Sequence, residues 1–254
     1  MKNKKINVAF VFLLLLNAVP LTAQVLSGAV SYKQKLIENV FDSIAIQKID
    51  VKYGSALDFV NESLKKYSKD FEFKLKFNKE ESIYKSDEKL QNDADKGYII
   101  AAKFSRINDI NYTNIRSGEK LVQMESFGEL LVIKYDLNGI KWKLFNKTKI
   151  IANYKCYMAT TTKIVKNSKG VFEKPVVAWY TPEIPLNYGP KGYGNLPGLI
   201  LELQEDNLIF YATKIILNPK ETILITKPNK GKLITEKEFE LKQKEMYSNY
   251  WKSK

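Results

Sequence analysis

Histidine is absent from the 254 residues and cysteine occurs once. Without imidazole the chain lacks the commonest general base near neutral pH and the commonest metal ligand, so Ser-His-Asp triads and ordinary zinc centres are excluded. The lone thiol, Cys156, cannot form an internal disulfide, and the apolar core must hold the fold unaided. Cys156 falls in the middle of an apolar-alternating segment with no imidazole to activate it, so a buried structural thiol is expected there. Arginine is nearly missing too: of 41 basic residues only Arg106 and Arg116 are arginines. The formal charge of +13 is therefore a lysine charge. Lysine does not supply the bidentate forks that read bases and phosphates, so the surplus is taken as a solvated surface and no nucleic-acid partner is expected.

Long apolar runs are equally scarce. One covers residues 8–16, preceded by Lys2, Lys4 and Lys5 and followed by Pro20 and Ala23. A helix needs about 20 apolar residues to span a bilayer, so this run is too short for an anchor and has the three-part layout of a cleaved signal peptide. Residues 1–23 are expected to be removed. Residues 24–254 are then a single β-rich domain in the periplasm or outside the cell, without a transmembrane segment. No Cys follows the run to accept a lipid.

What is present is alternation. Apolar residues recur with a period of two over 30–36 and 71–77, which predicts strands with one buried face. Further strands are expected at 82–84, 98–105, 110–115, 120–127, 130–135, 140–145, 154–165, 176–180, 199–203 and 208–217. Asn138-Gly139 reads as a tight hairpin turn, and 167–170 and 205–207 as further turns. Helical spacing marks two segments only: one capped at Ser55 and running to Tyr67, and a C-terminal one opened by the capping box Thr235 and Glu238. The fold class expected is mainly β (α+β), a large curved antiparallel sheet with a half-barrel as its extreme form and one helix in each half.

Residues 181–198 break the pattern. They hold four of the eight prolines and four of the twelve glycines, so regular structure is excluded and a loop of fixed shape is expected. This loop ends in Asn195-Leu196-Pro197-Gly198-Leu199-Ile200. Together with Trp142, Tyr154-Lys155-Cys156, Ala178-Trp179-Tyr180-Thr181-Pro182 and Gly189-Pro190, the ending resembles the GLPGLI family, uncharacterised exported proteins found mainly in Bacteroidetes. That likeness implies an exported β-rich protein and no established activity. Asn195 stands where the motif has its first Gly, and Asn is the residue that best keeps a positive φ in place of Gly.

Two readings of the loop stand side by side. In one it is mechanical, with Pro197 and Gly198 turning the chain into a buried strand. In the other, Trp179, Tyr180, Pro182, Tyr188, Gly189, Pro190, Tyr193, Asn195, Leu196, Pro197 and Gly198 form a binding site, since loops on rigid sheets often bind and aromatic residues dominate contact energies.

Catalytic furniture is thin. Asp93 to Gly97 begins like a calcium loop but lacks the downstream bidentate Glu, and no Gly-rich phosphate loop opens a helix. Glu80-Glu81 and Glu236 with Glu238 fit exposed turns and helix starts. No metal, no cofactor and no catalytic residue is expected. The function expected is an exported, non-enzymatic binding or accessory protein of the cell envelope, with an outer-membrane receptor or other envelope protein as its partner class. The alternatives are a hydrolase or peptidase with a non-histidine mechanism, and a carrier for a lipid or other hydrophobic ligand should the sheet enclose an apolar cavity.

Overall fold

The computed structural model describes residues 26–41, 51–87, 95–167 and 170–252. The expected signal peptide, Asp93 of the calcium-like run and the middle of the 167–170 turn lie outside them. The chain runs β1 (Gly28–Leu36), α1 (Val51–Tyr67), β2 (Glu72–Phe77), β3 (Glu81–Ser86), α2 (Lys96–Ser105), β4 (Ile110–Asn114), β5 (Glu119–Ser126) and β6 (Glu129–Tyr135). Then follow β7 (Lys143–Ile151), β8 (Tyr154–Asn167), β9 (Gly170–Thr181), β10 (Leu199–Glu205), β11 (Leu208–Leu217), β12 (Lys232–Thr235) and α3 (Glu236–Lys252).

All twelve strands join one open sheet, in the order β12-β6-β5-β4-β3-β2-β1-β11-β10-β9-β8-β7. Every pair is antiparallel except β12 with β6, which is parallel. A curved, mostly antiparallel sheet was expected, and its curvature follows from the connections. β6 and β7 stand ten strand positions apart, about 48 Å in a flat sheet at roughly 4.8 Å per strand. Yet only residues 136–142 join them, a reach of about 29 Å at full extension. The sheet must bend until its two ends approach across a concave face.

This crossover corrects one expectation. Asn138-Gly139 is no hairpin: Asp136 accepts a hydrogen bond from the Asn138 amide at 2.9 Å in a local turn, and β7 then pairs with β8. Local turn chemistry was right and the strand pairing was wrong, because register within a hairpin is visible in sequence and passage to a distant edge is not. A second correction concerns 98–105, expected as a strand and found as helix α2. The apolar run hides its period; what decides it is Asp95, whose carboxylate accepts from the Gly97 and Tyr98 amides as an N-cap, while Arg106 closes the C-terminus in a left-handed conformation at φ 56°. The same carboxylate is thereby spent on helix capping rather than on calcium. Third, Ser55 lies inside α1 rather than capping it. The C-terminal capping box is present: Glu238 accepts from the Thr235 amide, and the Thr235 hydroxyl accepts from the Glu238 amide.

The main core lies on the concave face. Alternate residues Phe73, Leu75 and Phe77 of β2 and Val30 and Tyr32 of β1 point into it, together with Leu64 of α1 and Ala101 of α2. Each fully buried residue of this size contributes roughly 1.5 to 3 kcal/mol, which explains how the fold manages without disulfides. A smaller cluster on another part of the sheet joins Tyr112, Leu121 and Val132 with Ile225, from the irregular strand connection between β11 and β12.

Candidate functional site

Where the sheet bends, α1 and α2 fill one end of its concave face and leave the other open. The result is an open cavity of about 1350 Å³. One wall is formed by β3 to β6, with Tyr84, Asn111, Lys120 and Tyr135. The opposite wall comes from β8 and the crossover, with Thr160 to Val165 and Lys141. Phe73, Glu205, Lys191 and Tyr193 form the floor, and Phe239 and Glu240 of α3 lean over the mouth.

The 181–198 loop builds the part of the floor that carries Lys191 and Tyr193. Its backbone is tied to β10 and to itself: the Leu199 amide donates to Ile184 at 3.0 Å, Ile200 to Tyr188 at 2.9 Å and Asn195 to Asn187 at 3.1 Å. It also clamps the crossover. The Asn195 side-chain amide donates to the Leu137 carbonyl at 2.6 Å, and the Trp142 indole N–H donates to the Gly194 carbonyl at 2.8 Å. Asn195 adopts φ 64°, the conformation expected of Asn in a glycine's place. Gly198, at φ 153°, has no alternative: a Cβ there would stand 2.1 Å from the Thr181 carbonyl oxygen. So the loop has a fixed shape, as its prolines and glycines predict.

Its aromatic residues do not form one surface. Neighbours on β9, Trp179 and Tyr180 join different apolar clusters. Trp179 lies beneath the Lys149 ammonium, 4.4 Å from its ring centre, and Tyr180 is buried beside Tyr157. Tyr188 is buried and stacks on Phe77. Gly189, Pro190, Leu196 and Gly198 are buried, whereas Pro182 and Pro197 are exposed away from the cavity. Of the eleven residues singled out from sequence, only Tyr193 lines the main cavity; Tyr188, Gly189 and Asn195 border a cleft of about 10 Å³ beside it, the room of a single water.

Two charged groups organise the floor. Glu205, 5% exposed, accepts hydrogen bonds from Lys191 and Lys163 and from the Tyr193 hydroxyl at 3.2 Å. Burial alone would raise its pKa, but the two ammonium groups overcome that and hold it at about 2. Burial of the Tyr193 hydroxyl, and then the same carboxylate, push it far above the usual tyrosine range. Asp109 pairs with the Arg106 guanidinium at 2.5 Å, and the other side of that guanidinium meets the Met124 sulfur. Burial raises the Asp109 carboxyl in spite of Arg106.

The β4–β5 wall is different. Lys120 is drawn into the wall opposite Tyr135, its Nζ 5.9 Å from that ring, with no carboxylate in ion-pair range among the described residues. Desolvation lowers its pKa, with Glu236 and Asp136 acting only from a distance. Beside it the Asn111 amide makes no hydrogen bond among the described residues, and the hydroxyl of Tyr84, 3% exposed, is buried without a partner. Sequence reasoning missed this group because it read 110–115 and 120–127 only as strands. The available hint was Lys120 standing in phase with Val122 and Met124 on one face.

Cys156 is fully buried, and burial raises its thiol to about 11, which fits the structural role expected of it. Among the described residues no cluster of acidic or Cys side chains could hold a metal, and no helix is long and apolar enough to cross a membrane.

Fold and site together define a mostly β protein with an open cavity in the bend of its sheet. A family model described as a protein of unknown function (Porph_ging) matches residues 169–202, which are β9, the loop and the start of β10. No curated protein matches the chain. Among solved structures, PNGF-II in a P21 crystal form is similar over 85% of this chain and 33% of its own, with 13% identity and a TM-score of 0.50. In a C2 form the same protein gives 14% identity and a TM-score of 0.47 over 83% of this chain and 31% of that one. The chain thus spans about a third of PNGF-II, and the likeness concerns the fold alone.

Proposed function

We propose that this chain is an exported binding protein of the cell envelope, of the GLPGLI type, whose site is the cavity in the bend of the sheet. The observation that carries this reading is the cavity itself. About 1350 Å³ is more than enough for an organic ligand, and polar side chains from both ends of the sheet converge on it. The 181–198 loop serves this function as scaffold: it sets the floor, fixes the crossover and contributes Lys191 and Tyr193 to the lining. Partner recognition by an outer-membrane receptor or other envelope protein belongs to the same proposal, through surfaces outside the cavity.

The hydrophobic-carrier alternative is weaker, because charged groups stand on every side of this cavity. So is the hydrolase alternative, because the buried carboxylate Glu205 is held ionised by two lysines and Asp109 is engaged with Arg106.

Native mass spectrometry of the mature protein, purified gently from its own cells, tests the proposal. A non-covalent adduct is expected on the wild type and not on Val122→Trp, which fills the cavity from β5. An adduct retained on the filled variant overturns the assignment of the site.

A further inference from the structure

The geometry points to an oxyanion-bearing ligand, a molecule with a carboxylate, phosphate or sulfate group that docks on Lys120, Asn111 and Tyr84. This deepens the reading of the cavity as a binding site and rests on it.

Three polar groups on adjacent strands are uncommitted at the same place. Tyr84 of β3 stands directly across from Asn111 of β4, and Thr113, two residues further on, stands across from Lys120 of β5. All three residues line both the main cavity and the small cleft beside it. The turn carrying Gly192 closes over two of them: a Cβ at Gly192 would lie 3.2 Å from the Asn111 Oδ1 and 3.4 Å from the Lys120 Cε. Together they present an O–H, an amide NH₂ and an ammonium.

Buried polar groups are nearly always paired, and an exception needs a reason. A single water in the cleft can satisfy the Tyr84 hydroxyl, but water does not neutralise an ammonium drawn out of solvent. Two buried carboxylates of the lining are already engaged, and Glu236 and Asp136 act on Lys120 from beyond ion-pair range. Glu205 is shared by Lys163 and Lys191, and Asp109 is held by Arg106. Cations outnumber anions along the lining, so the missing counter-charge is negative. An oxyanion accepts hydrogen bonds from all three donors at once and supplies the close counter-charge that Lys120 lacks among the described residues.

A pair of fluorescent probes tests this with the intact mature protein: anilinonaphthalene sulfonate, and phenylnaphthylamine, the same ring system without its anion. The wild type is expected to bind the sulfonate about tenfold more tightly than the neutral probe, the gain of one charge-assisted contact. Lys120→Met removes that preference and leaves the neutral probe's affinity unchanged. Asn111→Asp, which places a carboxylate beside the ammonium, does the same and serves where the first variant folds poorly. Lys143→Met, removing a cation of equal charge at the rim, changes the ratio by less than about threefold. Equal binding of the two probes by wild type, an unchanged ratio in both site variants, or an equal loss in Lys143→Met overturns the oxyanion site and leaves the cavity proposal standing. Failure of the wild type to bind either probe counts against both.

Discussion

Glu205 and Lys120 line the same cavity from different strands, and the chain treats them in opposite ways. Around the carboxylate it assembles two lysines and a tyrosine hydroxyl, drawn from β8 and from the 181–198 loop. Around the ammonium it places an aromatic ring, the Asn111 amide and the unpartnered Tyr84 hydroxyl, with the carboxylates Glu236 and Asp136 only at longer range. The first arrangement is closed: every group is used, and removing one leaves others stranded. The second is open, and its groups are held in place by the sheet without being used. Closed polar clusters hold a fold together, whereas open ones are what a ligand can complete.

The largest effect is expected on the closed side, in the loop. Gly198→Ala forces a Cβ onto the Thr181 carbonyl at a backbone angle only glycine accepts. It should cost about 3 kcal/mol or more in denaturant unfolding. A loss below about 1 kcal/mol would show that the loop yields, and the floor would no longer count as rigid.

Next comes Glu205→Gln, which strands Lys191 and Lys163. A fully buried pair broken in this way costs roughly 3 to 5 kcal/mol; because the Lys163 side chain is 44% exposed, about 2 kcal/mol is expected here. The pH dependence gives a sharper sign. Glu205 has a folded pKa of about 2 against an ordinary 4.5, so its contribution is complete above pH 4.5 and drains away as pH falls toward 2. The difference in stability between wild type and Glu205→Gln should shrink over that interval. A constant difference would contradict the assignment.

Lys120→Met is expected to move the other way, by about 1 kcal/mol of added stability or none at neutral pH, since it removes a desolvated charge with no close ion-pair partner among the described residues. The folded pKa of Lys120 lies below its ordinary 10.5, so the penalty is fully present below the folded value and is relieved as pH rises through it. Thermal unfolding curves of the two proteins should therefore converge on the alkaline side. Strong destabilisation by Lys120→Met would place Lys120 with Glu205 among the structural groups.

The smallest effect concerns Cys156. Its raised pKa and complete burial predict no reaction with a thiol reagent at pH 8 in the folded protein and full reaction in denaturant.

Sequence periodicity carried much of the fold wherever a strand buries one face, as β1 and β2 do and β7 does not. Phe73, Leu75 and Phe77 announce β2 without help from the rest of the chain, and Thr235 with Glu238 announces α3 by a bond three residues long. Helix α2 is illegible in sequence because Tyr98-Ile99-Ile100 satisfies either period, and the residue that settles the matter, Asp95, falls in a run that begins like a calcium loop. The long crossover was illegible for a different reason. Nothing between Asp136 and Trp142 encodes the far edge of the sheet; that destination depends on Asn195 and Gly194, more than fifty residues away. The site shared this fate. Its Tyr84, Asn111 and Lys120 come from three strands whose register sets them side by side, and a fourth strand brings Glu205 to the same cavity. The loop, by contrast, was conspicuous in sequence and proved to be mainly the support on which that place is built.

The comparison turns on one observable, the ionisation of Lys120. Side-chain NMR of lysine-labelled protein, with the Lys120 resonance assigned by its loss in Lys120→Met, can follow that ammonium through an alkaline titration with and without anilinonaphthalene sulfonate. Lys120 should lose its proton before the surface lysines do, and the bound sulfonate should carry its titration back up toward theirs. A Lys120 that titrates with the surface lysines and does not respond to the probe would contradict the account.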